Sequence, residues 1–299
     1  MDQPQSPPPA STLHVPVMPR EAIEGLAIQP GHIILDGTLG GGGHTRLIAQ
    51  QVGPNGCVVA VDRDPVAVAR AETTLRGLPV LVSNASYAEA AEVLAEASIE
   101  RLNGILLDLG LSSDQLEDRQ RGFSFHARGP LDLRFDPNNG EPATKLIARL
   151  SAEHLADLIY AYGEERCSRR IAAAIVDRRR ERPIQTSEDL ADIIRRAVPK
   201  NYDPRIDPAT RTFQALRIAV NSELDHLERA LQLLPTLLAP GGRFVVISFH
   251  SLEDRLVKVA FRRDERLRPL ASKPLIPTAE EIAANPRSRS AKLRVAERC

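Results

Sequence analysis

Residues 33–44 read IILDGTLGGGGH, which joins an apolar run to an unusually dense glycine loop. An apolar run that is bounded by glycine predicts a buried strand. Five of the seven residues after Asp36 are glycine, so the backbone can turn sharply there and approach a ligand without a Cβ in the way. We therefore predict a strand, a glycine loop and then a helix that begins at about His44.

A second apolar run indicates what such a loop could bind. Residues 57–62 read CVVAVD, and Asp62 stands 19 residues after Gly43. A glycine loop, a helix and an acid about 20 positions later are the parts with which a Rossmann-type unit binds a nucleoside, the acid pairing with the ribose hydroxyls. We expect Asp62 to have that role.

Composition indicates a soluble globular protein. The chain has 299 residues, of which 42% are hydrophobic and 26% are charged, as in ordinary globular domains. No apolar stretch approaches the roughly 20 residues that span a bilayer, so no membrane partner is expected. Residues 1–16 are rich in proline and lack the basic and apolar regions of a signal peptide; we predict a disordered arm. The three cysteines are far apart, which predicts neither a disulfide framework nor a metal site and favours a reducing cytoplasm.

Charge is balanced overall but unevenly distributed. The chain is neutral, yet residues 255–298 hold twelve Lys/Arg against five acids, and residues 166–182 hold seven arginines against two acids. Such blocks can neutralise the phosphates of a nucleic acid, or they can be solvated helix faces. Both interpretations stay open at this point.

Strand and helix patterns alternate along the first part of the chain. Between the strands, helices are predicted at about 44, 65–76 and 87–97, after a short amphipathic helix at 17–28. Strands are predicted at 32–36, 57–62, 79–83 and 104–108. This alternation predicts a parallel sheet that is covered on both faces.

The alternation stops at about residue 112. Residues 112–211 show helical periodicity at 151–163, 166–181 and 187–198, and no long apolar strand. A helix at about 214–238, a strand at 243–248 and a helix at about 252–263 then resume the α/β pattern. We predict a discontinuous cofactor domain, 17–111 and 212–299, that is interrupted by a helical substrate-recognition insertion, 112–211.

The loop helps to distinguish two cofactors. A dinucleotide loop has the pattern GxGxxG, whereas DGTLGGGGH begins with the Asp-Gly-x-x-Gly-x-Gly core of many methyltransferases. The turn LAPGGR at 238–243 is also common in Rossmann-like methyltransferases. These features favour S-adenosylmethionine over NAD, and an NAD-dependent oxidoreductase is the alternative.

Longer motifs resemble one family, the ribosomal small-subunit methyltransferase H family, along nearly the whole chain. The matching segments are HVPV (14–17), DGTLGGGGH (36–44), AVDRDP (60–65), GILLDLGLSS (104–113), QL (115–116), RGFSF (121–125), GPLDLR (129–134), YGEER (162–166), PATRTFQALR (208–217), VNSEL (220–224), ISFHSLEDR (247–255) and NPRSRS (285–290).

The resemblance implies a fold, a reaction and a set of contacts. The implied fold is α/β, a Rossmann-like class I methyltransferase sheet with an inserted all-helical domain. The implied reaction is S-adenosylmethionine-dependent N4-methylation of a cytidine in 16S rRNA near the decoding centre, on the small ribosomal subunit. A dimer is one oligomeric state that the sequence allows. The implied cofactor contacts are Gly41, Gly42, Gly43, His44, Asp62, Asp108, Gln115 and, where the family usually has an aromatic residue, Ser86 or Tyr87.

The group that takes the N4 proton is less well specified. Asp108, a backbone carbonyl within 109–112 and Asp132 are the candidates. His250 follows a predicted strand and could contact the substrate or transfer a proton. Alternatively it belongs to a helix cap with Ser251 at the N-cap and Asp254 at N3. No metal site is predicted.

Recognition of the target base also has two interpretations. The base must leave its stack to reach a cleft, and Phe123, Phe125 and Phe135 could stack on it. Phenylalanine is more often a core residue. A third function, a non-catalytic RNA-binding factor for ribosome assembly, fits the same basic blocks.

Overall fold

The computed structural model describes residues 16–125 and 129–299, so residues 1–15 of the predicted arm lie outside the described residues. Within these residues one seven-stranded sheet is found. Its strands are β1 (Ile33–Asp36), β2 (Cys57–Asp62), β3 (Val80–Asn84), β4 (Leu102–Asp108), β5 (Leu238–Ser248), β6 (Leu267–Pro269) and β7 (Lys292–Arg298).

Strand order places the switch point of the sheet beside the glycine loop. The order is β3-β2-β1-β4-β5-β7-β6. β1 lies between β2 and β4 and is parallel to both, with Ile34 aligned to Val58 on one side and to Gly104 on the other. The chain therefore changes direction across the sheet between β1 and β4, and ligands of open α/β sheets bind at this point.

Helices cover both faces of the sheet and form a second group after β4. They are α1 (Pro19–Leu26), α2 (Gly43–Val52), α3 (Pro65–Thr74), α4 (Ala90–Glu96), α5 (Ser113–Glu117), α6 (Ala143–Arg149), α7 (Ala152–Gly163), α8 (Ser168–Glu181), α9 (Ser187–Ala197), α10 (Ala209–Asn221), α11 (Glu223–Leu237), α12 (Ser251–Arg263) and α13 (Ala279–Ala284). Within the described part of the chain, no helix combines the length and apolar character that a membrane crossing requires.

The central strands are apolar because both of their faces are covered. Residues 58–61 of β2 and 105–107 of β4 are fully buried. One face packs against α4, α11 and α12, and the other packs against α1 and α2. Continuous apolar runs of this kind are typical of parallel strands in α/β proteins.

Helices α6 to α10 have an apolar core of their own. It includes Leu155, Ile171, Leu190 and Leu216, and it is separate from the clusters around the sheet. We call this group the helical body and the sheet with its helices the sheet body. The boundaries at 112 and 211 remain predictions.

Two features differ from the sequence-based expectations. The predicted helix 214–238 is two helices, because Ser222 between α10 and α11 has a left-handed conformation with φ 49°. The sheet is also mixed, since β7 runs antiparallel to both β5 and β6. Neither β6 nor β7 was predicted from the sequence, because the C-terminal segment is basic and lacks a long apolar run.

Candidate functional site

A cleft opens at the carboxyl ends of β1, β2 and β4. The glycine loop and α2 form one side, and the segment after β4 forms another. Residues from α11, α12 and the helical body complete the lining. The predicted site residues that line it are Gly43, His44, Asp62, Tyr87, Asp108 and Gln115.

Asp36, at the end of β1, holds the glycine loop in place through hydrogen bonds. Its side chain is fully buried and accepts hydrogen bonds from the backbone N–H of Thr38 (3.1 Å) and the hydroxyl of Thr45 (2.6 Å). Burial raises the pKa of Asp36, and the two threonine hydrogen bonds oppose that rise. The β1 end, the loop and the first turn of α2 are thus connected through one carboxyl group.

Close packing requires a glycine at the first loop position. A Cβ on Gly37 would overlap Leu107 and would lie 2.8 Å from the Cβ of Tyr87. Further on, Gly40 and Gly42 have φ of 48° and 76°, values that glycine adopts without steric cost. Gly42 is the N-cap of α2 and faces Leu75 of the core. Gly41 and Gly42 do not line the cleft.

Asp62 connects the end of β2 to this loop. Its Oδ2 accepts the backbone N–H of Gly40 (2.8 Å), and its Oδ1 accepts that of Asp64 (2.8 Å). Burial raises the pKa of Asp62 to about 6, although both N–H groups favour the ionised form. The carboxyl group is therefore poised to ionise near neutral pH.

Asp108 lines the cleft and has one side-chain oxygen without a hydrogen-bond partner in the described residues. The Oδ1 atom is buried and has no hydrogen-bond partner within the described residues, and such groups are costly unless a ligand satisfies them. Burial, followed by the negative charges of Asp36 and Glu253, raises the pKa of Asp108 well above its usual range. Its backbone N–H donates to the Thr38 hydroxyl at 2.7 Å.

His44 lies between Asp108 and the N-terminal segment. Its Nδ1 is 3.5 Å from Asp108 Oδ2, and its Nε2 is 3.0 Å from the carbonyl oxygen of Val17. A carbonyl only accepts, so Nε2 carries a hydrogen and Nδ1 faces the carboxyl group.

Gln115 is held in a capping box at the start of α5. Its backbone N–H donates to the Ser112 hydroxyl, and its Oε1 accepts the N–H of Ser112. The Nε2 atom donates to Asp64 Oδ2 at 3.0 Å. These bonds fix the loop that follows β4 against the start of α3.

The structure separates Ser86 from Tyr87. Ser86 does not line the cleft, because its hydroxyl caps the turn Tyr87–Glu89 and contacts His226 Nδ1 at 3.0 Å. Tyr87 does line it, and burial raises the pKa of its phenol.

Asp132 and His250 do not line the cleft. Asp132 is paired through both oxygens with Arg134, each at 2.8 Å. His250 is itself the N-cap of α12, with Glu253 rather than Asp254 at N3. The predicted cap was therefore one residue out of register. In the observed cap, His250 Nε2 lies 3.1 Å from Glu253 Oε1.

Of the three aromatic candidates, Phe135 reaches the cleft. Phe123 is buried in the helical body with its ring centroid 5.8 Å from that of Phe135. Phe125 packs on Phe213 with centroids 5.2 Å apart. The core interpretation therefore suits Phe123 and Phe125.

Several lining residues were not predicted as site residues. They are Arg63, Glu223, Phe249, Glu253 and Arg287. The two glutamates are buried. Glu223 pairs with Arg217 through both oxygens, at 2.8 and 2.9 Å. His250 and Arg217 hold the pKa of Glu253 below its usual range despite burial. The available signal was an acid in the first turn of a helix. Such acids usually only stabilise the helix, so they do not by themselves indicate a binding site.

The cleft is acidic overall, which suits a cationic ligand. Asp62, Asp108, Glu223 and Glu253 all line it, whereas a dinucleotide would bring a pyrophosphate that repels them. In the described ranges, 16–125 and 129–299, no cluster of three metal-ligating side chains is found. The unpaired Asp108 oxygen and the glycine loop fit S-adenosylmethionine, whose sulfonium is positive.

A Rossmann-like sheet of this strand order, with a glycine loop after β1 and acids after β2 and β4, defines a class I methyltransferase. Comparison with protein families agrees: the model described as the MraW methylase family matches residues 11–299. The chain therefore belongs to the MraW methylase family, and S-adenosylmethionine is its methyl donor. Membership of a methylase family decides against the NAD-dependent oxidoreductase.

Two relatives show how close the match is. The chain is 51% identical to Ribosomal RNA small subunit methyltransferase H of Rhodopirellula baltica, over 97% of this chain and 92% of the relative. It is also 51% identical to the protein of that name from Deinococcus radiodurans, over 97% and 91%. A solved rRNA methylase from Streptococcus thermophilus is 11% identical over 92% of each chain with a TM-score of 0.43, which is too low to support any argument.

Proposed function

We propose that this enzyme transfers the methyl group of S-adenosylmethionine to N4 of a cytidine in 16S rRNA, near the decoding centre of the small ribosomal subunit. The observation that carries the chemistry is the buried, unpaired Oδ1 of Asp108 in an acidic cleft beside the glycine loop. The relatives' names support the small-subunit RNA as substrate. This substrate places the enzyme in the cytoplasm, with the ribosome.

The cofactor would be held by groups that follow four neighbouring strands, β3, β2, β1 and β4. Gly40 and Gly43 would provide backbone surface without side chains, and Asp62 would accept from the ribose hydroxyls. Asp108 and Gln115 line the same cleft and complete the set. Tyr87, rather than Ser86, takes the position after β3, because only Tyr87 faces the cleft.

Bound S-adenosylmethionine supplies an activated methyl group, so the protein mainly has to position the acceptor. The cytosine amino group is a weak nucleophile, and it needs an acceptor for its proton as the new bond forms. A cation in the cleft lowers the pKa of nearby carboxyl groups. The cation therefore favours the ionised form of Asp108, whose free oxygen would accept an N–H of the amino group. A carbonyl within 109–112 is the second candidate, whereas Asp132 is held by Arg134 outside the cleft.

Mass mapping of 16S rRNA nucleosides tests the proposal. A strain that lacks this protein should lose N4-methylcytidine, and the wild-type gene should restore it. Asp108→Asn preserves the shape of the side chain but removes the ionisable group, so it should restore less than about 1% of the methylation rate, in line with typical losses of a proton acceptor.

Asp225→Asn is the matched control, since Asp225 is exposed on α11, and it should restore methylation fully. An unchanged N4-methylcytidine pattern in the deletion strain would refute the substrate assignment. Full restoration by Asp108→Asn would exclude the Asp108 carboxylate as the proton acceptor and leave the carbonyl within 109–112.

A further inference from the structure

The helical body and the sheet body meet at Glu164, an exposed residue at the end of α7. Glu164 ends α7 in a left-handed conformation with φ 49°. Its Oε2 accepts from the Ser251 hydroxyl, and its Oε1 lies 3.0 Å from Arg255 on α12. Ser251 follows directly on Phe249 and His250, and Phe249 lines the cleft. This junction is therefore next to the cleft.

Exposed basic residues lie close in the sequence to both sides of this contact. Arg166, Arg169 and Arg170 follow Glu164 on the helical body, and Arg255 and Lys258 lie one turn apart on α12; all five are exposed. Among the residues that the structure describes, no ion pair is found for Arg166, Arg169, Arg170 or Lys258. Arg255 is the member of this set that pairs with Glu164.

These arginines do not stabilise the helix that they precede or begin. Arg169 and Arg170 lie in the first turn of α8, which contains no acid. Cations there are repelled by the positive end of the helix macrodipole. Unpaired cations at an unfavourable position are better explained by an external anion than by the stability of the fold.

An exposed aromatic ring accompanies the cations. Tyr160 is 63% exposed, one turn before Glu164 on the same face of α7. Proteins that bind single-stranded nucleic acid combine exposed rings, on which bases stack, with cations that neutralise the phosphates. An anionic bilayer would be better matched by a continuous apolar face with basic flanks.

We propose that these residues bind the RNA substrate. The cations would contact its phosphate backbone, and Tyr160 would stack on one unpaired base. We call this set the junction surface; it consists of Tyr160, Arg166, Arg169, Arg170, Arg255 and Lys258. The inference rests on the proposed function, since it assumes an RNA substrate. It specifies which face of the enzyme meets the RNA and explains how a nucleotide is presented at the cleft mouth through α12.

Salt-dependent binding to 30S subunits from the deletion strain tests the junction surface. The full-length triple variant R166A/R169A/K258A should bind more weakly by at least about tenfold. Its slope of log affinity against log salt should be smaller by about 2, because three phosphate contacts are lost. The triple variant R76A/K145A/R229A removes three exposed cations from the turn after α3, from α6 and from α11, and it should retain the wild-type slope. S-adenosylhomocysteine should bind both variants with wild-type affinity, which checks folding.

Tyr160 provides an independent arm. Tyr160→Ala should weaken binding by about tenfold, as expected for one lost base stack, and Tyr160→Phe should bind like the wild type. Equal salt slopes for both triple variants would overturn the inference. The inference would also be overturned if the triple variant R166A/R169A/K258A lost binding to phosphatidylglycerol vesicles but bound 30S subunits like the wild type.

The same preparations distinguish this inference from the proposed function. If the wild type methylates the subunits but the two triple variants have equal salt slopes, the junction surface is rejected and the proposed function stands. Absence of methyl transfer by the wild type would reject the proposed function, whatever the slopes.

Discussion

Three carboxyl groups, those of Asp36, Asp62 and Asp108, lie at the ends of three neighbouring strands. Burial raises the pKa of each. In Asp36, both carboxyl oxygens accept hydrogen bonds that hold the glycine loop. Asp62 and Asp108 reach the cleft, where a cationic ligand with hydroxyl groups offsets the cost of burying their charge.

Affinity for S-adenosylhomocysteine should depend on pH through Asp62. Its pKa of about 6 means that the carboxylate is protonated at lower pH and accepts ribose hydroxyls less well. Affinity should therefore fall as pH drops below 6, by up to about tenfold per pH unit for one proton. Calorimetric titration from pH 5 to 8 measures this. Asp62→Asn should bind weakly at every pH, and a variant as pH-dependent as the wild type would contradict the assignment.

Gly37 should not tolerate even one added methyl group. Gly37→Ala would press on Leu107 and Tyr87, which should cost about 1–3 kcal/mol of unfolding free energy and weaken cofactor binding. Gly77→Ala is the control for backbone strain without a clash, because φ is 85° but the added Cβ would meet open space; it should lose about 1 kcal/mol of unfolding free energy and keep the wild-type cofactor affinity. Urea unfolding and cofactor titration compare the two. Normal cofactor affinity in Gly37→Ala would show that the loop adapts.

Among the helices, the break between α10 and α11 positions three parts of the site. Asn221 ends α10, and its side chain donates to Leu133 O (2.7 Å) and accepts the N–H of Phe135 (2.7 Å). Its carbonyl accepts from Arg63 at 2.7 Å. The turn at Ser222 then aims Glu223 into the cleft. A single straight helix could not do this.

Ser222→Gly should stabilise the protein, because glycine adopts φ 49° without the steric cost that serine has there. The expected gain is about 1 kcal/mol of unfolding free energy. The matched change Glu228→Gly, at an exposed interior position of α11, should lose about 1 kcal/mol. Urea denaturation of both variants gives the two signs, and a loss in Ser222→Gly would contradict the strain argument.

Across the whole molecule, buried polar contacts hold the helical body against the sheet body. Asp64 caps α3 through the N–H of Val66, and it also pairs with Arg121 Nη2 at 2.7 Å. Arg121 then donates to the carbonyl of Phe135 at 2.8 Å. Both side chains of this pair are less than a tenth exposed. The position of Phe135 in the cleft thus depends on a contact between the bodies.

Arg121→Met should destabilise the protein by about 3–5 kcal/mol, because it leaves the Asp64 charge buried and unpaired. Arg20→Met removes the exposed pair with Glu24 and should change stability by less than about 1 kcal/mol. Urea unfolding measures both. A loss below about 1 kcal/mol in Arg121→Met would show that water replaces the guanidinium.

Local patterns in the sequence were sufficient for the parallel strands, the glycine loop and the acids at the ends of β2 and β4. Strand periodicity and glycine content act over a few residues, and parallel strands necessarily end at one edge. The acidic side chains of Asp62 and Asp108 were therefore predictable before their contacts were known.

Only the tertiary structure brought Glu223, Glu253 and Phe249 to the same cleft, and it excluded Ser86, Asp132 and His250 from the lining. It also inserted β7 between β5 and β6 and broke the long helix at Ser222. These outcomes depend on pairings between residues far apart in the chain, such as Asn221 with Phe135 and Glu164 with Arg255. Their energies arise from burial and close packing, which a local pattern does not specify.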